Sequence, residues 1–393
     1  MYRRVLIITY YWPPAGGGGV QRWLKFAKYM PQYGIIPVVY TPSNADYPIL
    51  DKSLAADIPP EVEMLYQPIV EPYRTFRKMS RRKNDRLAAG FIAKEGKTSL
   101  LQRLLGWIRG NYFIPDARVT WVKPSVEYLS DYLLYNPVDA VITTGPPHSM
   151  HLIGLELKRQ MGVRWIADFR DQWLKMDNKR HFSLSRRSYA KHAALEKTVI
   201  QEADEVISVS YTAAAEYAAM RGKPVHTITN GYDEEDFAQR YEQRRDYFIV
   251  GHYGTLGADR DHPEFWERLQ AEAAKSSRPL VLELVGPTDA GIVEKAREVL
   301  GAHRVWYREY LPHAEVIKLM MQASVLVLLI NRNESAPSRI TGKIFEYLAS
   351  EREIWVFGGV DGGWLIKLIK NGNSLLHLER KWISKKMLLS IYG

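Results

Sequence analysis

The chain of 393 residues contains no cysteine. This absence excludes disulfide bonds and zinc sites built on thiolates, and it suits a reducing cytoplasm. The sequence also lacks an apolar run of about 18 residues, so we expect no membrane-spanning helix. The N-terminal apolar run at residues 5–11 is short, and Trp12, two prolines and four glycines follow it. It therefore predicts a first core strand rather than a signal peptide.

Acidic residues are fewer than basic ones, and the formal net charge is +10. The segment from Arg74 to Arg118 holds twelve basic and three acidic residues, so it accounts for +9 of this charge. A protein that binds nucleic acid along its whole surface would spread its charge more widely. The pattern therefore predicts one basic patch.

Short β-like runs alternate with helical stretches, which predicts an α/β protein with parallel sheets and crossover helices. We expect strands at 4–10, 37–40, 140–143, 164–167, 205–209, 248–253, 280–285, 305–306, 325–330 and 354–356. A polar stretch at 231–247 has little apolar periodicity and is typical of a linker. The predicted domains are 1–230 with a basic insertion at 74–118, then 248–378, and a C-terminal helix at 379–393 that packs back on the first domain.

Glycine-rich and polar segments follow several predicted strands, where open α/β sheets bind ligands. In the first half these are residues 16–19, 145–149 and 168–171, and in the second half 254–257 and 286–287. A dehydrogenase fingerprint is excluded, because Gln21 occupies the third glycine position and no acid ends the second strand. The four glycines also fit a plain flexible loop.

A helix that opens near Gly342 carries the most informative pattern. The start of a helix attracts anions, and Lys343 adds a positive charge at the same end. Glu346 lies three residues further on the same face, about 4.5 Å along the axis, so it can accept hydrogen bonds from a ribose diol while a diphosphate binds at the helix start. An ordinary amphipathic helix with a surface Lys and Glu is the alternative. The apolar stripe that would face the sheet is Ile344, Tyr347 and Leu348.

Taken together, these segments resemble glycosyltransferase family 4, whose members have the GT-B fold of two Rossmann-like domains facing across a cleft. The stretches that carry the resemblance lie in the expected order at 5–14, 16–22, 143–149, 168–173, 228–233 and 338–350. The resemblance implies an enzyme that moves a sugar from a nucleotide-diphosphate donor to an acceptor hydroxyl with retention. It implies no metal and no other cofactor.

The resemblance also implies roles for particular residues. The catalytic residues would be His148, Lys343 and Glu346. The donor would be bound by Gly254, Thr255, Arg260, Tyr310, Leu311, Ser338, Thr341, Gly342, Lys343 and Glu346. The acceptor and the reacting sugar would meet Gly17, Gly18, Gly19, His148, Asp168, Arg170 and Asp171.

Two positions depart from the pattern of the family. Ser338 stands where many members have the first of two glutamates seven residues apart, the one that contacts the sugar. Thr255 stands where members often have an arginine. The missing glutamate at Ser338 makes a non-catalytic binding subunit at the membrane one alternative to the transferase. A nucleotide-sugar epimerase, which shares the fold, is the other.

Other motifs point to metals more weakly. Asp259 and Asp261 form a D-x-D triplet, which binds Mg²⁺ in the other major glycosyltransferase fold, but this one lies in a polar loop. His148 and His151 could share a helix face, although no third zinc ligand is evident. His148 fits loop capping as well as contact with a sugar, and Asp168, Arg170 and Asp171 also fit an internal ion-pair cluster.

An apolar stripe at helical spacing follows the basic cluster. The stripe and the cluster together predict docking on an anionic membrane surface. A core-facing helix beside a solvated basic loop is the alternative. The proposed patch consists of Arg77, Lys78, Arg81, Arg82, Lys83, Leu104, Trp107 and Ile108. Because acceptors in the family are often lipid-linked, we expect a cytoplasmic enzyme, peripheral on the inner face of the membrane, that builds a bacterial surface polysaccharide.

Overall fold

The structure is a computed structural model that describes residues 2–71, 106–108, 110–175, 184–332 and 340–358. The described residues form two compact units, which divide between Thr229 and Asn230. The predicted domain limits, with a separate linker at 231–247, stay predictions, and the predicted helix at 379–393 lies outside the described residues.

The first unit is built on a seven-stranded parallel sheet with the order β3-β2-β1-β4-β5-β6-β7. Its strands are β1 Arg3–Ile8, β2 Ile35–Pro42, β3 Glu63–Gln67, β4 Ala140–Gly145, β5 Trp165–Phe169, β6 Glu205–Ser208 and β7 His226–Thr227. Its helices are α1 Gly18–Tyr29, α2 Val122–Tyr135, α3 Ser149–Met161, α4 Arg186–Glu202 and α5 Tyr211–Arg221. Residues 106–108 and 110–112 are also helical.

The second unit has a five-stranded parallel sheet with the order β10-β9-β8-β11-β12. Its strands are β8 Phe248–Tyr253, β9 Leu280–Val285, β10 Val305–Arg308, β11 Val325–Ile330 and β12 Glu353–Gly358. Its helices are α6 Pro263–Lys275, α7 Ala290–Leu300, α8 His313–Gln322 and α9 Lys343–Ala349. Short 3-10 turns at Glu235–Phe237 and Ala258–Arg260 belong to the same unit.

Local chemistry explains where several helices begin. The side chains of Ser185, Ser210 and Asp289 precede α4, α5 and α7, and each accepts a hydrogen bond from a backbone N–H of the first turn. Such a cap stabilises a helix by about 1 kcal/mol, because it satisfies a donor that the helix leaves without a partner.

Continuous apolar runs form the inner strands, since both faces of a parallel sheet are covered by helices. All six residues of β9 and all six of β11 are buried. Burying each apolar side chain of these strands contributes about 1.5–3 kcal/mol relative to leaving it in water. The one buried acid of β9, Glu283, accepts hydrogen bonds from Tyr253 and Arg308. The sheets are therefore rigid frames whose carboxyl ends hold the loops of interest.

The predicted strands are found, and several extend further than predicted. Gly145 and Asp168 were placed in loops but are the last residue of β4 and the fourth residue of β5. Two edge strands, β3 and β7, were not predicted, because only one of their seven residues is buried and the apolar signal is weak. The helix expected near Gly342 begins at Lys343.

Candidate functional site

The carboxyl edge of the second sheet brings together the loops that follow β8 and β9. Leu256 continues the pairing beyond the strands: its N–H donates to the Pro287 carbonyl at 2.9 Å, and its carbonyl accepts from Asp289 N–H at 2.9 Å. The two loops are thereby fixed side by side, and the turn at Gly254 and Thr255 is held rather than free.

Glycine is required at two positions of this edge. Gly254 has φ +116° and Gly286 has φ +113°, backbone conformations that other residues rarely adopt. A Cβ at Gly286 would come within 2.7–2.9 Å of the Gly254 backbone, and a Cβ at Gly254 within 2.4 Å of Lys343 Cε. The glycines therefore allow the two loops and the Lys343 side chain to pack against one another.

Lys343, the first residue of α9, places its ammonium group at this turn. Its Nζ donates to His252 Nε2 at 3.3 Å and lies 3.5 Å from the Thr255 carbonyl oxygen. Burial, and then the nearby Arg260 guanidinium, lower the pKa of Lys343 to about 7, although Glu346 partly opposes both effects. A cation with so few anionic partners is suited to an anionic ligand.

His252 lies within β8 and was not singled out from the sequence. Its Nδ1 donates to the Val327 carbonyl at 3.0 Å, which leaves Nε2 as the acceptor that faces Lys343. Burial and then the charge of Lys343 hold the pKa of His252 well below its usual value, so the ring is neutral. His252 therefore orients the Lys343 ammonium without adding a charge.

Arg260 supplies a second cation at the same turn. Its Nη1 donates to the Thr255 carbonyl at 3.1 Å. The acids on either side of it have separate protein partners, because Asp259 accepts from Asn331 at 2.6 Å and Asp261 from Lys295 at 2.8 Å. Within the described residues, no three potential ligands cluster as a metal site requires.

Glu346 lies one turn after Lys343 on α9, and its side chain is 20% exposed. Its Oε1 accepts a hydrogen bond from His313 Nε2 at 2.8 Å, and His313 Nδ1 lies 3.7 Å from Asp236 Oδ2. His313 and Asp236 were not predicted. No local pattern marks either residue, since the contacts span 33 and 77 positions of the chain.

The other predicted donor residues fall around this edge. Tyr310 and Leu311 lie between β10 and α8 and are partly exposed. Gly342 precedes α9 next to Asn230, and the Thr341 hydroxyl is buried with no hydrogen-bond partner among the described residues. Ser338 lies outside the described residues.

In the first unit, the glycine loop meets the end of β4 through Arg170. Arg170 Nη1 donates to the Gly19 carbonyl at 2.6 Å, and Nη2 donates to the Pro146 carbonyl. Gly17 has φ +85°, and a Cβ at Gly19 would contact the Arg170 guanidinium and the Tyr11 ring at 3.4 Å. Arg170 therefore joins the two predicted acceptor segments. Gly18, predicted to lie in a loop, is the first residue of α1 and is exposed.

Asp168 is buried in β5 and is hydrogen-bonded on both oxygens. It accepts from Arg22 at 2.9 and 3.1 Å, from Trp23 Nε1 at 2.8 Å and from the Thr144 hydroxyl at 3.0 Å. Burial opposes its charge, but Arg22 and these donors lower the pKa of Asp168 below its ordinary value. Arg22 also donates to the Thr229 carbonyl at 2.9 Å. Asp168 thus anchors α1 and the strand ends.

His148 directly precedes α3 and is buried. Its ring stacks on Trp173 with centroids 4.8 Å apart, and the Trp173 indole N–H donates to His192 Nδ1 at 3.1 Å. His151 lies beside it, and burial lowers the pKa of His151 to about 3, so this second ring is neutral near pH 7. Asp171 is exposed.

The predicted membrane patch is described only in part. Trp107 is 42% exposed and its ring meets Tyr112, which is 73% exposed, edge to face at 6.1 Å. Ile108 is partly buried. The other residues of the patch lie outside the described residues: Arg77, Lys78, Arg81, Arg82, Lys83 and Leu104. Among the helices that are described, none has the length and apolar character needed to cross a membrane.

Two units, each built on a parallel sheet with crossover helices, have the architecture of the GT-B fold. The family model described as Glycosyltransferase Family 4 matches residues 91–236 of this chain. The chain therefore carries a glycosyltransferase family 4 domain over these residues, which confirms the resemblance, and it is a glycosyltransferase. No curated protein matches the sequence.

Solved structures share the fold at low identity. Sucrose-phosphate synthase from Thermosynechococcus elongatus is 14% identical with a TM-score of 0.56, and the match covers 99% of this chain and 94% of that one. WaaG, a glycosyltransferase involved in lipopolysaccharide biosynthesis, is 13% identical with a TM-score of 0.54, covering 99% and 93%. TarM is 11% identical with a TM-score of 0.54, covering 100% and 96%. These matches confirm the predicted GT-B fold.

Proposed function

We propose that the turn at Gly254 and Thr255, with Lys343 and Arg260, binds the diphosphate of the nucleotide-sugar donor. One observation carries this proposal: two cations meet at a single glycine turn where the nearest protein partners of Lys343 are a neutral histidine and a carbonyl oxygen. A diphosphate supplies the missing negative charge, and the absent Cβ of Gly254 leaves room for the Lys343 side chain at this edge.

The same edge offers groups for the rest of the nucleotide. Glu346 is one helical turn from Lys343, so its carboxylate can accept from the ribose diol while the ammonium binds phosphate. Tyr310 and Leu311 follow β10 and would contact the base. Gly342 and Thr341 contribute a backbone N–H and a buried hydroxyl beside Lys343.

The chemistry that we propose is transfer with retention through an oxocarbenium-like transition state. Negative charge develops on the leaving diphosphate as the glycosidic bond breaks, and Lys343 and Arg260 stabilise it without a metal ion. We assign no protein nucleophile. The enzyme contributes by holding the donor and the acceptor hydroxyl in reacting geometry.

For the acceptor, we propose the first unit's loops at Gly17–Gly19 and His148. The stacking of His148 on Trp173 fixes the plane of its ring. Arg170 holds the glycine loop to the end of β4, and Asp168 fixes the strands below, so both act by positioning rather than by contact with the acceptor. Asp171, which is exposed, remains a candidate for direct contact.

We further propose that the acceptor is a lipid-linked intermediate of a bacterial surface polysaccharide and that the enzyme is peripheral on the inner face of the cytoplasmic membrane. The charge of residues 74–118 and the exposed rings of Trp107 and Tyr112 support this proposal, because cations attract anionic lipid and aromatic side chains favour the interface. Neutralising the basic cluster should abolish sedimentation with anionic liposomes and leave nucleotide binding intact, whereas retained sedimentation would contradict the patch. The residues to change are Arg77, Lys78, Arg81, Arg82 and Lys83.

Transfer is tested by incubating the protein with labelled UDP-, GDP- and ADP-sugars and a bacterial lipid extract. Label that moves into the organic phase, and that stays in water with the Lys343→Met variant, supports the proposed reaction. Interconversion of the sugar without any acceptor would instead identify an epimerase. Nucleotide binding without either reaction would favour a non-catalytic subunit.

A further inference from the structure

His313 lies at the start of α8 and contacts carboxylates from two other segments of the second unit. Its Nε2 is 2.8 Å from Glu346 Oε1 on α9, and its Nδ1 is 3.7 Å from Asp236 Oδ2 in the 3-10 turn Glu235–Phe237. All three side chains are similarly shielded, with 18–20% of their surface exposed. The ring therefore joins the helix of the proposed donor site to two elements that are distant in sequence.

The hydrogen-bond chemistry assigns a direction to this contact. A carboxylate accepts, so Nε2 carries the proton that is donated to Glu346. The bond engages one oxygen, and within the described residues the Glu346 carboxylate makes no other hydrogen bond. Oε2 and the second lone pair of Oε1 remain available to a ligand. The separation of 3.7 Å between His313 Nδ1 and Asp236 Oδ2 is longer than a hydrogen bond, so Asp236 lies beside the ring without a direct bond to it.

We propose that His313 is a positioning residue of the donor site, which holds Glu346 in the orientation that accepts the ribose diol. This inference rests on the proposed function, since it takes Glu346 as the ribose ligand. A glutamate side chain has several accessible rotamers, and fixing one of them before the donor arrives removes an entropic cost from binding. Asp236 flanks the ring on its Nδ1 side, and the buried Phe237 anchors the turn that carries Asp236.

A purely structural role for His313, as a link between α8 and α9, would weaken every ligand of the site equally. A positioning role predicts a loss that depends on the ribose hydroxyls. The two roles are separated by titrating each variant with a nucleoside diphosphate and with its 2′,3′-dideoxy analogue. UDP, GDP and ADP are the probes, and the one that binds the wild-type protein is carried forward.

In the wild-type protein we expect the ribonucleotide to bind about tenfold or more tightly than the dideoxy analogue, because a charged acceptor is left without its donors. Glu346→Gln should bring this ratio close to one. His313→Ala should lower the affinity for the ribonucleotide about five- to tenfold and leave the affinity for the dideoxy analogue within about twofold. His313→Gln, whose amide can still donate to Glu346, should restore part of the ratio.

Each contrary result has its own meaning. A ratio that His313→Ala leaves at the wild-type value, while Glu346→Gln abolishes it, overturns the positioning role and leaves the donor site standing. A ratio that Glu346→Gln leaves unchanged removes Glu346 from the ribose and overturns both statements about this carboxylate. Failure of the wild-type protein to bind any of the three diphosphates overturns the donor site and this inference with it. Thermal unfolding of each variant identifies a loss caused by misfolding, and His313→Gln then provides the comparison.

Discussion

The depressed pKa of Lys343 gives the proposed diphosphate site a proton signature. Burial lowers this pKa from 10.5 to about 7, so the amine is mostly neutral in the free protein at pH 8. A bound diphosphate favours the ammonium and raises the pKa again. Binding should therefore take up about 0.9 proton per site at pH 8 and about 0.5 proton at pH 7.

The same linkage fixes the pH dependence of the affinity. Above pH 7, each unit of pH should weaken diphosphate binding by up to about tenfold, until the pKa of the complex is reached. The terminal phosphate, with a pKa of about 6, is already ionised in this range and does not contribute. Titrations at pH 8 in two buffers of different ionisation enthalpy measure the proton uptake directly.

The lowered pKa of Lys343 should also make the stability of the free protein depend on pH. Between the folded pKa of about 7 and the unfolded value of 10.5, the unfolded chain binds the additional proton, so the stability of the free protein rises with pH across this window. The full shift corresponds to about 5 kcal/mol, and because the side chain is partly exposed we expect about 2–4 kcal/mol.

Lys343→Met is the matched control for both effects, because it keeps an unbranched side chain of similar length without the amine. It should abolish the proton uptake, weaken diphosphate binding by about 1.5–3 kcal/mol and remove the rise in stability between pH 7 and 10. Proton uptake that persists unchanged in this variant would refute the reasoning, since another group would then be the one that titrates on binding.

Two further substitutions test the framework of the sites. Gly254→Ala adds a Cβ 2.4 Å from Lys343 Cε at a residue with φ +116°, so it should cost about 1–3 kcal/mol of stability and weaken diphosphate binding. Gly18→Ala is the control, because the added Cβ would have no atom within 4 Å and thermal stability should stay unchanged. Equal melting temperatures for both would contradict the assigned backbone. Asp168→Ala should cost about 3–5 kcal/mol in urea unfolding, because it leaves the Arg22 guanidinium buried without its partner. Since the folded pKa of Asp168 is depressed, its contribution should be present above about pH 4 and lost on acidification, and a pH-independent difference from wild type between pH 2 and 6 would contradict this.

The inner strands were readable from the sequence because burial on both faces makes most of their residues apolar. β8, β9 and β11 were predicted to the residue. The edge strands β3 and β7 were missed, because an edge strand is half-solvated and its composition resembles that of a loop. The predicted ends of β4 and β5 were too early for a related reason: Thr144 and Asp168 are polar but buried, and polar residues were taken to end a strand.

Part of the candidate site could be predicted from the sequence, because two of its residues lie on one helix. Lys343 and Glu346 are three residues apart on one helix, so local geometry alone brings them to one face. The side chains that orient them, His252 and His313, reach them through contacts over 91 and 33 positions. Such contacts depend on how strands and helices pack, and no local pattern in the sequence encodes them. The lowered pKa of Lys343 follows from the same packing, so it could not be predicted from the sequence either.

We propose that the turn beside Lys343 binds the diphosphate of the donor without a metal ion. Calorimetric titration of the purified protein with UDP, GDP, ADP and CMP, each with and without EDTA, tests this binding most directly. We predict that one nucleoside diphosphate binds, that EDTA leaves its affinity unchanged, and that Lys343→Met weakens it. Binding that EDTA abolishes, or the absence of binding by any of the four nucleotides, would contradict the claim.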